Sequence, residues 1–253
     1  MSALKTTLGA FAVAAALATN VAQAAPAAPS VVIVHGAFAD GSDWAKVIPL
    51  LQAKGVKVTA IQNPLTSLKD DVAAARRVLD AQTGKVVLVG HSWGGTVITE
   101  AGAHDKVAAL VYVAAFAPDP NQSTAEAGKD YPTPPGIKKL VADAQGFLSL
   151  PPEAVRDDFA QDLPAAQTAV MSATQGPIQS KAFDEKVAVA AWQNKPSWYI
   201  VSSKDRMIDP GLERAFARKI KARTTELATS HVPQQSRPAD VAKVILEAVA
   251  ASK

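Results

Sequence analysis

Short runs of β-branched residues alternate along the chain with segments whose apolar positions recur every three or four residues. The runs predict strands buried on both faces of a parallel sheet, at Val31–Val34, Val56–Ile61, Lys85–Val89, Ala108–Val113, Trp198–Ser202 and Thr224–Ala228. The helical spacing predicts helices at Asp43–Leu51, Leu68–Ala81, Leu212–Ile220 and Pro238–Ala250. Such strand–helix–strand alternation predicts a parallel α/β sheet with right-handed crossovers.

The alternation stops between residues 117 and 196, where the pattern predicts no strand. This stretch holds ten of the seventeen prolines, between short helical pieces such as Pro152–Ala160 and Ala165–Ala173. Ordinary connections are only a few residues long, and much longer ones are usually functional. We therefore expect a helical cap at 117–196, inserted between core segments 25–116 and 197–253. A surface excursion without a role in substrate binding is the alternative.

Residues 1–24 are typical of a signal peptide. Lys5 provides the positive charge, Leu8–Ala18 the uncharged apolar segment, and Ala22-Gln23-Ala24 the small-residue cleavage site. The apolar segment is shorter than the ~20 residues that a membrane-spanning helix needs. We expect cleavage after Ala24 and a periplasmic or secreted protein without a stable membrane span. An uncleaved membrane anchor is the alternative.

Composition excludes several classes of function. The chain has 253 residues and no cysteine, which excludes thiol catalysis and Cys-ligated zinc. The formal net charge is only +3 and the charges are scattered, so we expect no nucleic-acid partner. HExxH, GxGxxG and P-loop motifs are missing from the sequence, so we expect neither a metal nor a cofactor.

A G-x-S-x-G motif follows the third predicted strand. Residues 90–95 read Gly-His-Ser-Trp-Gly-Gly, and Thr96–Ala101 after them has a helical pattern. Between a strand and a helix, this motif forms a sharp, strained turn that lifts the serine hydroxyl above the sheet. Gly90 and Gly94 leave room for that turn. The motif therefore predicts that Ser92 is a nucleophile; a tight turn with a passive serine is the alternative.

A serine hydroxyl needs a base to become a good nucleophile. Of the four histidines, we expect His231 to be that base, because it follows the last predicted strand at the edge where active sites gather. We expect His35 to shape the loop after the first strand, and His91 to point away from the Ser92 hydroxyl. We expect His104 to lie on the surface.

The base in turn needs a carboxylate, and the oxyanion of the reaction needs two N–H donors. Asp205 follows the strand at 198–202 and is our first candidate for the carboxylate. Asp209 is the second, although it looks more like a helix N-cap. For the oxyanion hole we predict the N–H groups of Trp93 and Ala37, with Phe38 as the alternative to Ala37.

These segments together resemble the α/β-hydrolase superfamily, in the order VVIVHGAF, VVLVGHSWGG, WYIVSSKDRMIDP and SHVPQQSRP. The resemblance extends from residue 31 to the C-terminus, and is closest to the compact group of plant-type esterases, hydroxynitrile lyases and related bacterial esterases. It implies an α/β-hydrolase fold, with a six-stranded, mostly parallel sheet flanked by helices under an inserted helical cap. It also implies a catalytic triad of Ser92, Asp205 and His231 and an oxyanion hole formed by Ala37 and Trp93. It further implies that the enzyme uses no cofactor.

Departures from the superfamily pattern narrow the expected chemistry. Haloalkane dehalogenases and epoxide hydrolases of this fold typically use an aspartate nucleophile, where this chain has Ser92. Hydroxynitrile lyases of the compact group carry Thr after the first His and Lys after the catalytic His. Here those positions are Gly36 and Val232, so cyanohydrin cleavage is disfavoured.

We therefore predict a serine carboxylic-ester hydrolase that acts on small uncharged acyl or aryl esters. We expect apolar side chains to line its substrate pocket, at Phe38, Phe147, Leu148, Phe159 and Met171. The alternative for each of these residues is ordinary core of the cap. The alternatives are a carbon–carbon bond hydrolase or a cofactor-free oxygenase or lyase on the same fold, and a non-catalytic module that binds small molecules.

Overall fold

A computed structural model describes residues 29–252, and the predicted signal peptide at 1–24 lies outside them. The strands are β1 (Ser30–Val34), β2 (Val58–Ala60), β3 (Val86–Ser92), β4 (Val107–Ala115), β5 (Val141–Ala142), β6 (Phe147–Ser149), β7 (Ile178–Gln179), β8 (Ser197–Ser202) and β9 (Arg223–Leu227). The α-helices are α1 (Ile48–Gln52), α2 (Leu68–Asp80), α3 (Trp93–Ala101), α4 (Thr124–Gly128), α5 (Pro152–Ala154), α6 (Ala165–Thr174), α7 (Pro210–Lys219), α8 (Pro233–Ser236) and α9 (Pro238–Ala251).

Six strands form one parallel sheet in the order β2-β1-β3-β4-β8-β9. Alternate residues of each inner strand enter opposite cores: Val32 packs with α2, α3 and α7 on one face, and Ile33 packs with α1 and α9 on the other. The inner strands are therefore buried on both sides, which explains their unbroken apolar runs. The predicted six-stranded sheet flanked by helices is confirmed.

The helix predicted at 43–51 is divided in two. A 3-10 turn covers Gly41–Trp44, and α1 begins only at Ile48. Pro49 in the first turn of α1 explains the break, because proline suits a helix start but cannot donate a hydrogen bond to a preceding turn.

The chain between β4 and β8, residues 117–196, contains strands that the sequence pattern did not predict. Besides α4, α5, α6 and a π-helical turn at Val155–Phe159, it holds the small antiparallel sheet β5-β6-β7. Its strands have two or three residues, too few for a visible alternation of polar and apolar positions. The β5–β6 turn is closed by Asp143 Oδ1, which accepts the N–H groups of Gln145 (2.8 Å) and Phe147 (2.9 Å). Across residues 29–252, no helix has the length and apolarity to span a bilayer.

The turn from β3 to α3 is sharp and crowded. Ser92 has φ 52° and ψ −121°, a backbone conformation that non-glycine residues rarely adopt. A methyl group on Gly90 would lie 2.5 Å from the carbonyl oxygen of Gly94 and 2.9 Å from Cγ1 of Ile98. A methyl group on Gly36, in the loop after β1, would lie 2.8 Å from Cβ of Ser92. Glycine at these positions therefore lets the two loops approach each other around Ser92.

A buried carboxylate joins α2 to the first residue of α3. Asp71 is fully buried and accepts hydrogen bonds from the Trp93 indole N–H (2.7 Å) and the Leu65 backbone N–H (2.8 Å). Burial raises the pKa of Asp71 to about 6, although both hydrogen bonds favour the charged form. This contact fixes the Trp93 side chain beside Ser92.

We expect Gly90→Ala to lower the free energy of unfolding by ~1–3 kcal/mol, because the added methyl group has no room at the turn. Urea denaturation of both proteins measures this. Gly84→Ala is the matched control, since a methyl group there would meet no atom within 4 Å. If Gly90→Ala is as stable as the control, the turn is not as crowded as described.

We expect the stabilising contribution of Asp71 to depend on pH. Its pKa of about 6 in the folded state lies above the ordinary value of 3.8, so the folded protein holds this proton more tightly than the unfolded chain does. Its contribution to the free energy of unfolding should therefore fall by about 3 kcal/mol as the pH rises from about 4 through about 6.

Asp71→Asn does not titrate and is the reference. Urea denaturation at several pH values should show the stability difference, wild type minus variant, decreasing across that window. A difference that stays constant with pH would contradict the raised pKa.

Candidate active site

Ser92 ends β3 at the carboxyl edge of the sheet and lines a cavity. The residue is only 8 % exposed, and the cavity also reaches His231. The strained turn places the side chain above the sheet, as the G-x-S-x-G motif predicts. Two sequence-predicted site residues, far apart in the chain, therefore share one cavity.

His231 and Asp205 form a buried pair behind this cavity. The Nδ1–H of His231 donates to Oδ2 of Asp205 at 2.5 Å. The other carboxylate oxygen, Oδ1, accepts the N–H groups of Met207 (2.6 Å) and Ile208 (2.9 Å), in the turn that follows β8. With Nδ1 carrying the proton, Nε2 of His231 is left as the acceptor that a general base requires.

The Ser92 hydroxyl and the His231 ring line the same cavity without a direct hydrogen bond between them among the contacts of residues 29–252. In enzymes without bound substrate, catalytic hydrogen bonds are often long and tighten only when the substrate binds.

The other histidines have other partners. The ring of His35 accepts the Asn63 N–H at Nε2 (2.9 Å) and donates from Nδ1 to the Gly36 carbonyl (2.8 Å), so it shapes the loop after β1. The ring of His91 donates from Nε2 to the carbonyl oxygen of His231 (2.8 Å), and burial holds its pKa well below the usual value. His104 contacts Asp80 at 3.0 Å, near the surface.

Asp209, the second candidate for the carboxylate, has a structural role. Its Oδ1 accepts the N–H groups of Gly211 (2.7 Å) and Leu212 (3.3 Å), which makes it the N-cap of α7. The contact with His231 is made by Asp205 instead.

The candidate oxyanion donors are the backbone N–H groups of Trp93 and Ala37. Trp93 is the first residue of α3, so its N–H has no acceptor within that helix. The Ala37 N–H is not engaged by any hydrogen bond of the described residues, and both residues line the cavity. The Phe38 N–H donates to the carbonyl oxygen of Gly176 at 3.2 Å, so it is the less available alternative.

The cavity has a volume of about 420 Å³ and a mostly apolar wall. Several residues between 116 and 140 line it, together with Met207, Ile208 and Leu212. Its apolar and aromatic side chains include Phe116, Tyr131, Ile137, Leu140, Leu148 and Phe183. Most of these lie in the proline-rich segment, which has no regular periodicity, so the sequence pattern could not assign them to the wall.

Two of the five predicted pocket residues, Phe38 and Leu148, line this cavity. The other three do not. Phe147 precedes Leu148 on the same strand, so its side chain points to the opposite face. Phe159 is buried and packs edge-on against the ring of His231, with the ring centroids 5.2 Å apart. Met171 lines a second, smaller cavity between α6 and the loop after β1.

One buried acidic residue near the site was missed by the sequence reasoning. Glu213 on α7 is fully buried and accepts the Ser202 N–H at 2.9 Å. Burial and the nearby Asp205 carboxylate raise the pKa of Glu213 well above its usual value, which favours the neutral form of this carboxyl group. Its position between Leu212 and Phe216, on the apolar face of the helix, is the sequence feature that could have indicated its burial.

Comparison with known proteins identifies the family of this chain. The model of the "Alpha/beta hydrolase family" matches residues 31–244. The chain is 28% identical over 247 residues to "Probable hydrolase R7" of Phoma sp., covering 87% of this chain and 97% of that protein. It is 25% identical over 253 residues to "Pyrethroid hydrolase" of Sphingobium wenxiniae, covering 86% of each.

A similar fold occurs in the crystal structure of a pyrethroid hydrolase from Sphingobium faniae JZ-2. The TM-score is 0.75 at 22% identity, over 88% of this chain and 98% of that one. The family match covers most of the chain. The two relatives to which the chain is similar over most of their length are both named as hydrolases. This chain is therefore an enzyme that belongs to the alpha/beta hydrolase family.

Proposed function

We propose that this enzyme is a serine carboxylic-ester hydrolase for small uncharged acyl or aryl esters. The observation that carries the proposal is the arrangement of one cavity: the Ser92 hydroxyl and the ring of His231 line it, and Asp205 holds that ring from behind. A nucleophile, a base and a group that orients the base are the three parts that acyl transfer requires.

The first half of the proposed reaction forms an acyl-enzyme. Ser92 Oγ attacks the ester carbonyl carbon while Nε2 of His231 takes the hydroxyl proton. Asp205 stabilises the resulting imidazolium through the Nδ1 hydrogen bond. The negative oxygen of the tetrahedral intermediate accepts from the N–H groups of Ala37 and Trp93. The intermediate then collapses, and the alcohol leaves with the proton from His231.

The second half releases the acid. A water molecule gives a proton to Nε2 of His231 and attacks the acyl carbon. The same two N–H groups stabilise the second tetrahedral intermediate, and Ser92 leaves with the proton returned by the imidazolium. Each proton that His231 accepts is thus returned, and no external reductant or oxidant enters the cycle.

The cavity wall supports the choice of substrate. Its side chains are mostly apolar, so an ionised acyl or alcohol group would lose much of its hydration there. A cavity of about 420 Å³ lies at the small end of ligand sites in proteins. The name of the pyrethroid hydrolase relative further supports an apolar ester as the substrate.

Ser92→Ala should lower kcat/KM for p-nitrophenyl acetate by about 10⁴-fold or more, because the variant has no nucleophile. The same change should abolish covalent labelling by a fluorophosphonate. Ser172→Ala is the matched control, since this serine lies on α6, outside the cavity lining. Circular dichroism and thermal melting check that both variants are folded.

Full esterase activity in folded Ser92→Ala would contradict the proposal. Fluorophosphonate labelling without turnover of any ester would favour another reaction on the same fold, and turnover of a β-diketone would identify carbon–carbon bond hydrolysis. A protein that neither labels nor turns over would be a binding module.

A further inference from the structure

The backbone on both sides of the His231 side chain is held by other parts of the chain. The carbonyl oxygen of His231 accepts the Nε2–H of His91, from the β3–α3 turn. The N–H of Ser230, just before it, donates to Oδ2 of Asp162 at 2.9 Å. Asp162 lies in the long segment between β4 and β8, so the base is held partly from outside the sheet.

The residue next to Asp162 contacts the loop of the other triad candidate. The side-chain amide of Gln161 donates to the carbonyl oxygen of Lys204 at 2.7 Å, immediately before Asp205. One short stretch of chain therefore contacts both the loop of His231 and the loop of Asp205.

The preceding turn strengthens this connection. Asp158 is fully buried and pairs with Arg206, the residue after Asp205, at 2.7 Å. It also pairs with Lys139 at 2.5 Å. Phe159 follows it and packs against the ring of His231. Residues 158–162, which we call the bracket, thus contact the loop of each residue in the His231–Asp205 pair.

Within the bracket, Asp162 is the contact that can be removed most cleanly. Asp162 is exposed, whereas Ser230 is fully buried. Loss of the carboxylate leaves the core intact but removes the partner of a buried N–H group, and such groups are rarely left without one. Asp158 and Phe159 are buried, so their substitution would disturb packing as well.

We propose that Asp162 is a positioning residue for His231: its carboxylate fixes the Ser230 N–H and so the placement of the imidazole relative to Ser92. The inference rests on the proposed esterase function. A catalytic group displaced by about 1 Å can slow a reaction about 10²-fold, so a single backbone hydrogen bond at the base has a measurable effect. The bracket is then part of the catalytic frame as well as of the segment that covers the sheet.

The test compares three variants of the mature enzyme in p-nitrophenyl acetate hydrolysis. Asp162→Ala should lower kcat about tenfold, with KM changed less than about twofold, because the base is misplaced while the cavity is unchanged. Asp162→Asn should recover most of kcat, since its amide oxygen still accepts the Ser230 N–H. Asp157→Ala is the matched control, an exposed carboxylate nearby that pairs with Arg156.

Hydrogen exchange gives a second readout that does not depend on activity. In Asp162→Ala, the Ser230 amide should exchange at least about tenfold faster than in the wild type, and in Asp162→Asn it should remain protected. Thermal melting should show that Asp162→Ala and Asp157→Ala are both folded at the assay temperature, so that a loss of kcat reports positioning and not unfolding.

Three results would overturn the inference: unchanged kcat in Asp162→Ala, unchanged Ser230 exchange, or an equal loss of kcat in Asp162→Asn and Asp162→Ala. A wild-type enzyme without esterase activity would instead contradict the proposed function. Hydrogen exchange at Ser230 would then still decide whether Asp162 holds this loop.

Discussion

The hydrogen bond between Nδ1 of His231 and Oδ2 of Asp205 determines the chemistry available at this site. It joins two buried side chains at 2.5 Å and settles which ring nitrogen carries the proton. Nε2 is then left as an acceptor, and His231 lines the cavity that Ser92 also lines. A buried carboxylate is stable only with partners for its oxygens, and the N–H groups of Met207 and Ile208 complete that set. The turn after β8 therefore supplies the remaining hydrogen-bond partners of this carboxyl group.

The elbow at Ser92 is a second constraint, and it is steric. A positive φ at a non-glycine residue is unfavourable, and it persists only where the surroundings enforce it. Here β3 and α3 are both buried, and glycine at positions 36, 90 and 94 removes the side chains that would prevent the close approach. The packing of the cores on both faces of the sheet thus maintains the strained turn at Ser92, which places the Ser92 hydroxyl at the cavity.

The sequence predicted those parts of the molecule that repeat a regular pattern or that a single motif encodes. Apolar runs indicated the six parallel strands, and G-x-S-x-G between a strand and a helix indicated the turn at Ser92. The two- and three-residue strands β5, β6 and β7 were missed because such short segments have no period. The helix predicted at 43–51 failed because Pro49 starts a new helix there.

The walls and supports of the site depend on contacts between residues far apart in the chain, and local patterns do not encode these. Asp162 and Ser230 are separated by 68 residues, and nothing in the neighbouring sequence of either one indicates the other. The same holds for Phe159, which was expected in the substrate pocket and instead packs against the ring of His231. An aromatic residue in an irregular segment predicts burial, but its partner is decided by the tertiary fold.

The most direct test of the central claim is a crystal structure of the enzyme after reaction with an alkyl fluorophosphonate, whose covalent adduct mimics the tetrahedral intermediate. The account predicts a phosphorus atom bonded to Ser92 Oγ, with its phosphoryl oxygen about 2.7–3.1 Å from the backbone nitrogens of Ala37 and Trp93. It also predicts Nε2 of His231 within hydrogen-bond distance of the adduct. An adduct on another residue, or an oxygen remote from both nitrogens, would contradict it.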